Sequence, residues 1–313
     1  MKLTRRAFGT LALSGIAATA LPMSNAFAHM VYSGVRIGSV TNSLRGTYST
    51  PQTSSPEETV ATLIPQLQAL GLGLVEISVG TFRPVYKDGA TPEERRAVLR
   101  DFRLSGQLQD QQIAIRKQFD DADIEVFSMS NAFSVDVSDE EIDAMFKAME
   151  ASNIRVFHSG STKMETVPRL VPFVQKYGIT FAGHPHGNPD PKEIGSWESM
   201  ERVMEFGEGF DLCLDIGHFT AANGNEKGKD ALAFLEKYHD RITHLHVKDR
   251  MVEEGPNVPL GAGDTPIIET MQMLRDNGWD IPAFLEREYS ARRMSAFDDV
   301  RQQLDYIRNA VQS

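Results

Sequence analysis

The sequence predicts a closed parallel (β/α)8 barrel, on three observations. Short apolar runs alternate with amphipathic helical stretches from residue 35 to the end of the chain. Four of these runs end in metal-competent side chains: residues 179–186 (ITFAGHPH), 211–218 (DLCLDIGH), 242–249 (ITHLHVKD) and 281–288 (IPAFLERE). Of eight histidines, six lie at or just past predicted strand ends: His158, His184, His186, His218, His244 and His246. Parallel barrels carry their chemistry at the carboxyl ends of the strands, so this punctuation is what such a fold requires. An open doubly wound sheet is the alternative, but no Gly-rich phosphate fingerprint follows the first run.

Each element has its own signal. The run at 35–41 leads to a helix opened by Ser55-Pro56-Glu57-Glu58, a cap, a first-turn proline and acids at the positive helix end. The second run, 74–78, follows the Gly71-Leu72-Gly73 stop. Thr91-Pro92-Glu93-Glu94 then opens a helix, Gly106 interrupts, and a second helix reaches about Phe119. The third run is 124–129, with Ser138 capping a helix over 139–152. The fourth, 154–158, precedes a helix over 164–176 that Tyr177-Gly178 ends. The fifth, 179–184, is followed by a helix over 197–206 capped by Ser196, and the sixth, 210–216, by one over 229–238. After the seventh, 242–247, comes a Gly/Pro-rich loop at 254–264 and a helix over 266–276. The eighth, 281–285, precedes a closing helix over 296–311. No internal repeat or domain boundary interrupts residues 29–313, which read as a single barrel domain.

Residues 1–28 read as a twin-arginine export signal. Thr4-Arg5-Arg6-Ala7-Phe8 precedes a mildly apolar stretch at 11–21, and Ala26-Phe27-Ala28 offers small residues for cleavage. The expected location is therefore periplasmic or secreted. An ordinary secretory signal or an uncleaved anchor is the alternative. No later run is long and apolar enough to span a bilayer. The chain carries a net charge of −11, and loss of Lys2, Arg5 and Arg6 makes it more acidic, which argues against a nucleic-acid partner. Cys213 is the only cysteine, so no intrachain disulfide forms, and it reads as a small buried hydrophobe. Twin-arginine export carries folded proteins, which would let a cation be loaded before Zn and Cu compete for it. The sequence leaves self-association into a homo-oligomer open.

Strand alternation sorts the polar residues by face. Thr180, Ala182, His184 and His186 share one, Asp211, Cys213 and Asp215 another, then His244, His246 and Lys248, and finally Phe284, Glu286 and Glu288. If these faces look inward, His184, Asp215, His246 and Glu286 stand at similar height around one divalent cation. Two imidazoles with two carboxylates suit Mn, Zn, Co or Fe better than Ca, which prefers oxygen alone. His218 would sit at the rim as a further ligand or a substrate donor. Glu76, ending the second run, either binds a substrate hydroxyl or is an internally paired barrel glutamate. His158 and His244 are either functional or hydrogen-bonded structural residues. Lys248 and Arg287 either meet a substrate anion or are solvated or paired charges, and Trp197 reads as packing.

Five short motifs in barrel order add a resemblance: Val75-Glu76-Ile77, Leu214-Asp215-Ile216-Gly217-His218, His246-Val247-Lys248-Asp249, Pro259-Leu260-Gly261-Ala262-Gly263-Asp264, and Gly278 followed by Leu285-Glu286. With them, residues 33–310 resemble the sugar phosphate isomerase/epimerase superfamily. These are the xylose isomerase-like TIM barrels, which include ketose 3-epimerases, inosose dehydratase and family-2 apurinic endonucleases. The resemblance implies one divalent metal, with Asp215, His246 and Glu286 on ligand positions. At the fifth run the epimerases place Glu, whereas this chain has His184, with His186 the competing ligand. It also implies two glutamates on opposite faces of a sugar and an enediolate between them. A coordinated His184 cannot also accept a proton, so Glu286 serves as one base and Glu288, His158 or His186 must supply the other. Catalytic roles are thus expected of Glu286, His184 and Glu288, and substrate contacts of Glu76, His158, His186, His218 and Lys248.

The expected function is an exported, metal-dependent isomerase or epimerase acting on a ketose or keto-sugar. A dehydratase or lyase of the same fold is the alternative, as is a non-catalytic periplasmic sugar- or metal-binding barrel. A nuclease of this fold fits poorly with the acidity and the export signal.

Overall fold

The computed structural model describes residues 31–45, 55–159, 163–224, 230–289 and 294–313. The predicted export signal at 1–28 lies outside the described residues. Eight parallel strands close into a barrel: β2 (Val35–Val40), β3 (Leu74–Ile77), β4 (Glu125–Ser130), β5 (Val156–Ser159), β6 (Thr180–Gly183), β7 (Phe210–Asp215), β8 (Ile242–Val247) and β11 (Ala283–Leu285). Closure comes from β2, which pairs in parallel with both β3 and β11. A short β1 (Val31–Tyr32) adds antiparallel to β2, outside the ring of staves.

The helices are α1 (Pro56–Ala69), α2 (Pro92–Leu104), α3 (Gln107–Asp121), α4 (Asp139–Ala151), α5 (Val167–Tyr177), α6 (Trp197–Met204), α7 (Ile216–Asn223), α8 (Ala231–Tyr238), α9 (Ile267–Asn277) and α10 (Ala296–Gln312). Their starts are where the sequence signals them. Ser55 with Glu58, Thr91 with Glu94 and Ser138 with Glu141 form reciprocal capping boxes on α1, α2 and α4, each contributing about 1 kcal/mol. Gly178 and Gly278 end α5 and α9 in the left-handed conformation.

Two features were not anticipated. The chain leaves β7 directly into α7, a two-turn helix buried at nearly every position, before α8 begins. Such an all-round apolar segment lacks the one-sided periodicity that marks a surface helix. The Gly/Pro-rich loop also contains a small antiparallel ladder, β9 (Asp249–Arg250) with β10 (Asn257–Val258). The Asp249 carboxylate accepts backbone N–H groups from Gly261, Gly263 and Thr265, at 2.8, 3.0 and 3.2 Å. The Gly/Pro-rich loop is therefore pinned to β9, just past the end of β8.

The larger core lies between the staves and the helices, with Val60, Leu63 and Leu67 of α1 and the rings of Phe146 and Phe157 among its members. A second cluster of Val40, Leu74 and Phe284, with Phe127 beside it, lies apart from that core. Phe284 fits because its register partner on β2 is Gly38. A Cβ at Gly38 would lie 2.7 Å from the Leu74 carbonyl oxygen and 2.8 Å from the Phe284 ring. Neither can retreat, since one is backbone of a stave and the other is fully buried. Gly38→Ala is expected to destabilise the protein by about 1–3 kcal/mol through overpacking, seen as a lower urea midpoint at unchanged slope. A midpoint equal to wild type would show that the barrel interior is loosely filled.

Candidate metal centre and active site

At the carboxyl end of the barrel, β7 and β8 carry Asp215 and His246, while His184 follows β6 directly and Glu286 follows β11 directly. Asp215 has two duties. It is the N-cap of α7, with Oδ1 accepting the His218 N–H at 2.7 Å. Its Oδ2 is buried and has no hydrogen bond. The glycine of Asp215-Ile216-Gly217-His218 has a steric cause, because a Cβ on Gly217 would stand 2.7 Å from the Lys248 carbonyl oxygen.

His184, Asp215, His246 and Glu286 each direct one ligand-type atom into a space where all four lie within 4.8 Å of one another. His184 Nε2 is 3.0 Å from His246 Nδ1, 3.7 Å from Asp215 Oδ2 and 3.8 Å from Glu286 Oε2. Glu286 Oε2 in turn lies 2.9 Å from His246 Nδ1. Two ring nitrogens and two carboxylate oxygens facing inward, with Asp215 Oδ2 buried without a hydrogen bond beside the Lys248 ammonium, make a donor set that fits a cation. Burial holds the His184 imidazole well below its ordinary pKa, leaving it neutral as a ligand must be.

Two other groupings share His246: His184 and Cys213 on one side, Glu76 and His244 on the other. They suit a cation less. Burial pushes the Cys213 thiol up to about 12, so it is no thiolate at neutral pH. The Glu76 oxygens are already taken. Oε2 accepts from Ser128 Oγ at 2.7 Å and from His244 Nε2 at 2.9 Å, and Oε1 from His158 Nε2 at 2.7 Å, with His246 Nε2 3.2 Å away.

Glu76 is completely buried. Burial alone would raise its pKa, but His158 and His246 outweigh it and hold the carboxyl well below its usual range. As an acceptor only, Glu76 requires each imidazole nitrogen bonded to it to carry the proton. A neutral His158 then keeps its lone pair on Nδ1, which is buried without a partner. His244 Nδ1 accepts from Thr243 Oγ1 at 2.7 Å. His246 Nε2 stands 3.2 Å from Glu76 Oε1 without a hydrogen bond, and although burial would lower its pKa, the neighbouring Cys213, Glu76 and Glu286 raise it well above the ordinary value. Of the two readings open for Glu76, internal pairing is the one its contacts show.

Lys248 is neither solvated nor free. Its buried ammonium lies 3.1 Å from Asp215 Oδ2, 3.0 Å from Glu286 Oε2 and 2.7 Å from both Glu288 Oε2 and His218 Nε2. Burial would lower its pKa, yet those three carboxylates raise it far above the ordinary value. Glu288 is drawn down to about 2 by its bond to His218 and by Lys248, against the effect of burial. His218 Nδ1 faces Arg250 Nη1 at 2.7 Å. His186 is near the centre, its ring 5.4 Å from that of His184 and 5.3 Å from that of His218, but outside the four-residue grouping. Burial, then the nearby His218 and Lys248, lower it to about 4. Arg287 pairs with Asp299, and Trp197 packs on Phe219 and Phe234.

Sequence reasoning missed Ser128 and Arg250. A serine between Phe127 and Met129 of the third run was the available sign of the first, whereas nothing marked Arg250 apart from other loop arginines. Beside the centre, Glu286 and His158 both line a cavity of about 640 Å³ with Thr41, Ser78 and Ser130.

The arrangement predicts uptake of one Co2+ per chain with visible d–d absorption, abolished by Asp215→Asn. Glu76→Gln, which removes the buried negative charge 3.2 Å from His246 Nε2, is expected to weaken Co2+ about 10–100-fold in chelator competition. Unchanged affinity would deny Glu76 that role.

Among curated proteins, no relative matches the sequence. Solved structures match in fold. A sugar phosphate isomerase/epimerase from Parabacteroides distasonis is 15% identical with a TM-score of 0.58, covering 88% of this chain and 94% of its own. The 3-keto-D-glucoside 4-epimerase of E. coli is 11% identical with a TM-score of 0.58, covering 88% and 99%. The probable 3-DHS dehydratase of petrobactin synthesis from Bacillus anthracis is 13% identical with a TM-score of 0.58, covering 88% and 98%. At such identities the likeness is one of fold. The family model of the xylose isomerase-like TIM barrel matches residues 64–310, and the chain belongs to that family.

Proposed function

We propose that the protein is an exported, divalent-metal-dependent sugar isomerase or epimerase that enolises a ketose or keto-sugar. The observation that carries this reading is one cavity lined by both Glu286, at the metal centre, and His158, whose buried Nδ1 has no partner. His184, Asp215, His246 and Glu286 would hold Mn, Zn, Co or Fe. The ion's contribution when bound is Lewis-acid stabilisation of the oxygen charge that builds as a carbonyl enolises.

The remaining chemistry belongs to side chains. Glu76 keeps a proton on His158 Nε2 and so presents a lone pair at Nδ1, the arrangement of a general base. Glu286 supplies the second proton-transfer group. Glu288, expected as a base, is tied to Lys248 and His218 and, unlike Glu286, does not line this cavity. His186, at about 4, is a poor base at neutral pH. His158 and Glu286 are therefore the favoured pair. Thr41, Ser78 and Ser130 line the same space and suit sugar hydroxyls.

A dehydratase is the second reading, favoured by His184 standing where the epimerases carry a glutamate. Proton removal without return to the opposite face leads to loss of a β-hydroxyl as water. The solved neighbours include both an epimerase and a dehydratase by name.

Incubation of metal-loaded protein with a ketose panel in D2O tests the proposal. Deuterium is expected beside the carbonyl, with the rate reduced about 10²–10⁴-fold in Glu286→Gln and in His158→Asn. Water elimination by mass spectrometry would select the dehydratase. Sugar binding with neither deuterium uptake nor water loss would reduce the protein to a binding barrel.

A further inference from the structure

The cavity beside the metal centre is electrically lopsided. In a chain with 43 acidic and 32 basic residues, its only lining acid among the described residues is Glu286, whereas Arg45 and Arg83 both line it. Arg83 follows β3 and its backbone N–H is fixed by Gln111 Oε1 at 3.1 Å; its side chain is half-buried. Arg45 follows the turn after β2 and also borders a neighbouring cavity of about 710 Å³.

Among the described residues, neither guanidinium has a hydrogen bond, an ion pair or a ring contact. That sets the two apart. Arg36, Arg96, Arg103, Arg116, Arg169, Arg241, Arg275, Arg287 and Arg308 each meet a carboxylate within 3.1 Å. Arg95, Arg202 and Arg250 each bond a backbone carbonyl. Two forked cations with unused donors, lining the same cavity as the proton-transfer groups, are built to receive an oxyanion.

We propose that Arg45 and Arg83 form an anion subsite, and that the substrate is a sugar acid or sugar phosphate. Its carboxylate or phosphate lies at the arginines and its carbonyl at Glu286 and His158. Which end reacts rests on the function proposed above; the anion subsite does not. A neutral ketose would offer the guanidinium forks hydroxyl oxygens but no charge to pair with. Carboxylate and phosphate share the bidentate chemistry, and the choice between them is experimental.

Calorimetric titration of the full, Mn2+-loaded chain with D-fructose, D-fructuronate and D-fructose 6-phosphate tests this. At least one anionic probe is expected to bind about ten-fold or more tightly than D-fructose, with the advantage shrinking as NaCl rises from about 20 to 200 mM. Preference for fructuronate names a carboxylate, and preference for the phosphate ester names a phosphate. Arg83→Gln and Arg45→Gln should each bring the ratio toward one, and Arg83→Lys should recover part of it. Equal affinities, no binding by either anion, or a preference that survives Arg45→Gln/Arg83→Gln overturns the subsite. Deuterium uptake measured on the same samples keeps the two proposals separate. Anion preference without exchange retains the subsite and removes the enolising role, and exchange without preference does the reverse.

Discussion

The mouth of this barrel depends on one buried carboxylate. Glu76 has no contact with solvent, yet it stays ionised because two imidazoles and a serine hydroxyl donate to it and a third imidazole stands 3.2 Å away. An uncompensated ion in that position would cost several kcal/mol. Satisfied, it dictates proton positions on rings from β5 and β8. The consequence reaches both proposed activities: His158 keeps an unpartnered nitrogen at Nδ1, and His246 stands beside the same buried charge, its Nδ1 2.9 Å from Glu286. Ligand geometry and base geometry thus share a single anchor beneath them.

The carboxylates above Glu76 are crowded for a second reason. Asp215, Glu286 and Glu288 all approach the Lys248 ammonium. Like charges at these distances repel strongly in a low-dielectric interior, and the ammonium offsets that repulsion. Asp215 is further restrained by capping α7, so the first turn of that helix and the oxygen turned toward His184 are set by the same side chain. The short motifs become intelligible on this basis. Gly217 clears the Lys248 backbone, and Asp249 gathers the N–H groups of the glycine-rich loop that follows.

The staves were legible because a closed barrel imposes a repeating pattern: an apolar run, a polar end, and a capped helix opened by Ser or Thr with Glu three residues on. The common height of His184, Asp215, His246 and Glu286 followed from strand alternation alone. What escaped was whatever depended on distant partners. A glutamate in LVEIS does not reveal that its acceptors will be used by residues 52, 82 and 168 positions away. Lys248 read as a substrate contact or a solvated or paired charge, undecided because its three acids come from other strands and strand ends. The helix α7 was hidden because buried residues on all sides carry no period, and a two-residue ladder such as β9 with β10 is too short to leave one. Arg45 and Arg83 sit in loops, where sequence pattern says little about direction.

Lys248 also bears on the order of events in the life of the molecule. A positive group supplied by the chain itself lets the acidic rim assemble during folding, with no mineral partner required as scaffold. A cation arriving afterwards meets walls already in position. Its entry then amounts to an exchange of charge at the imidazole and carboxylates, and the architecture beneath has no need to move.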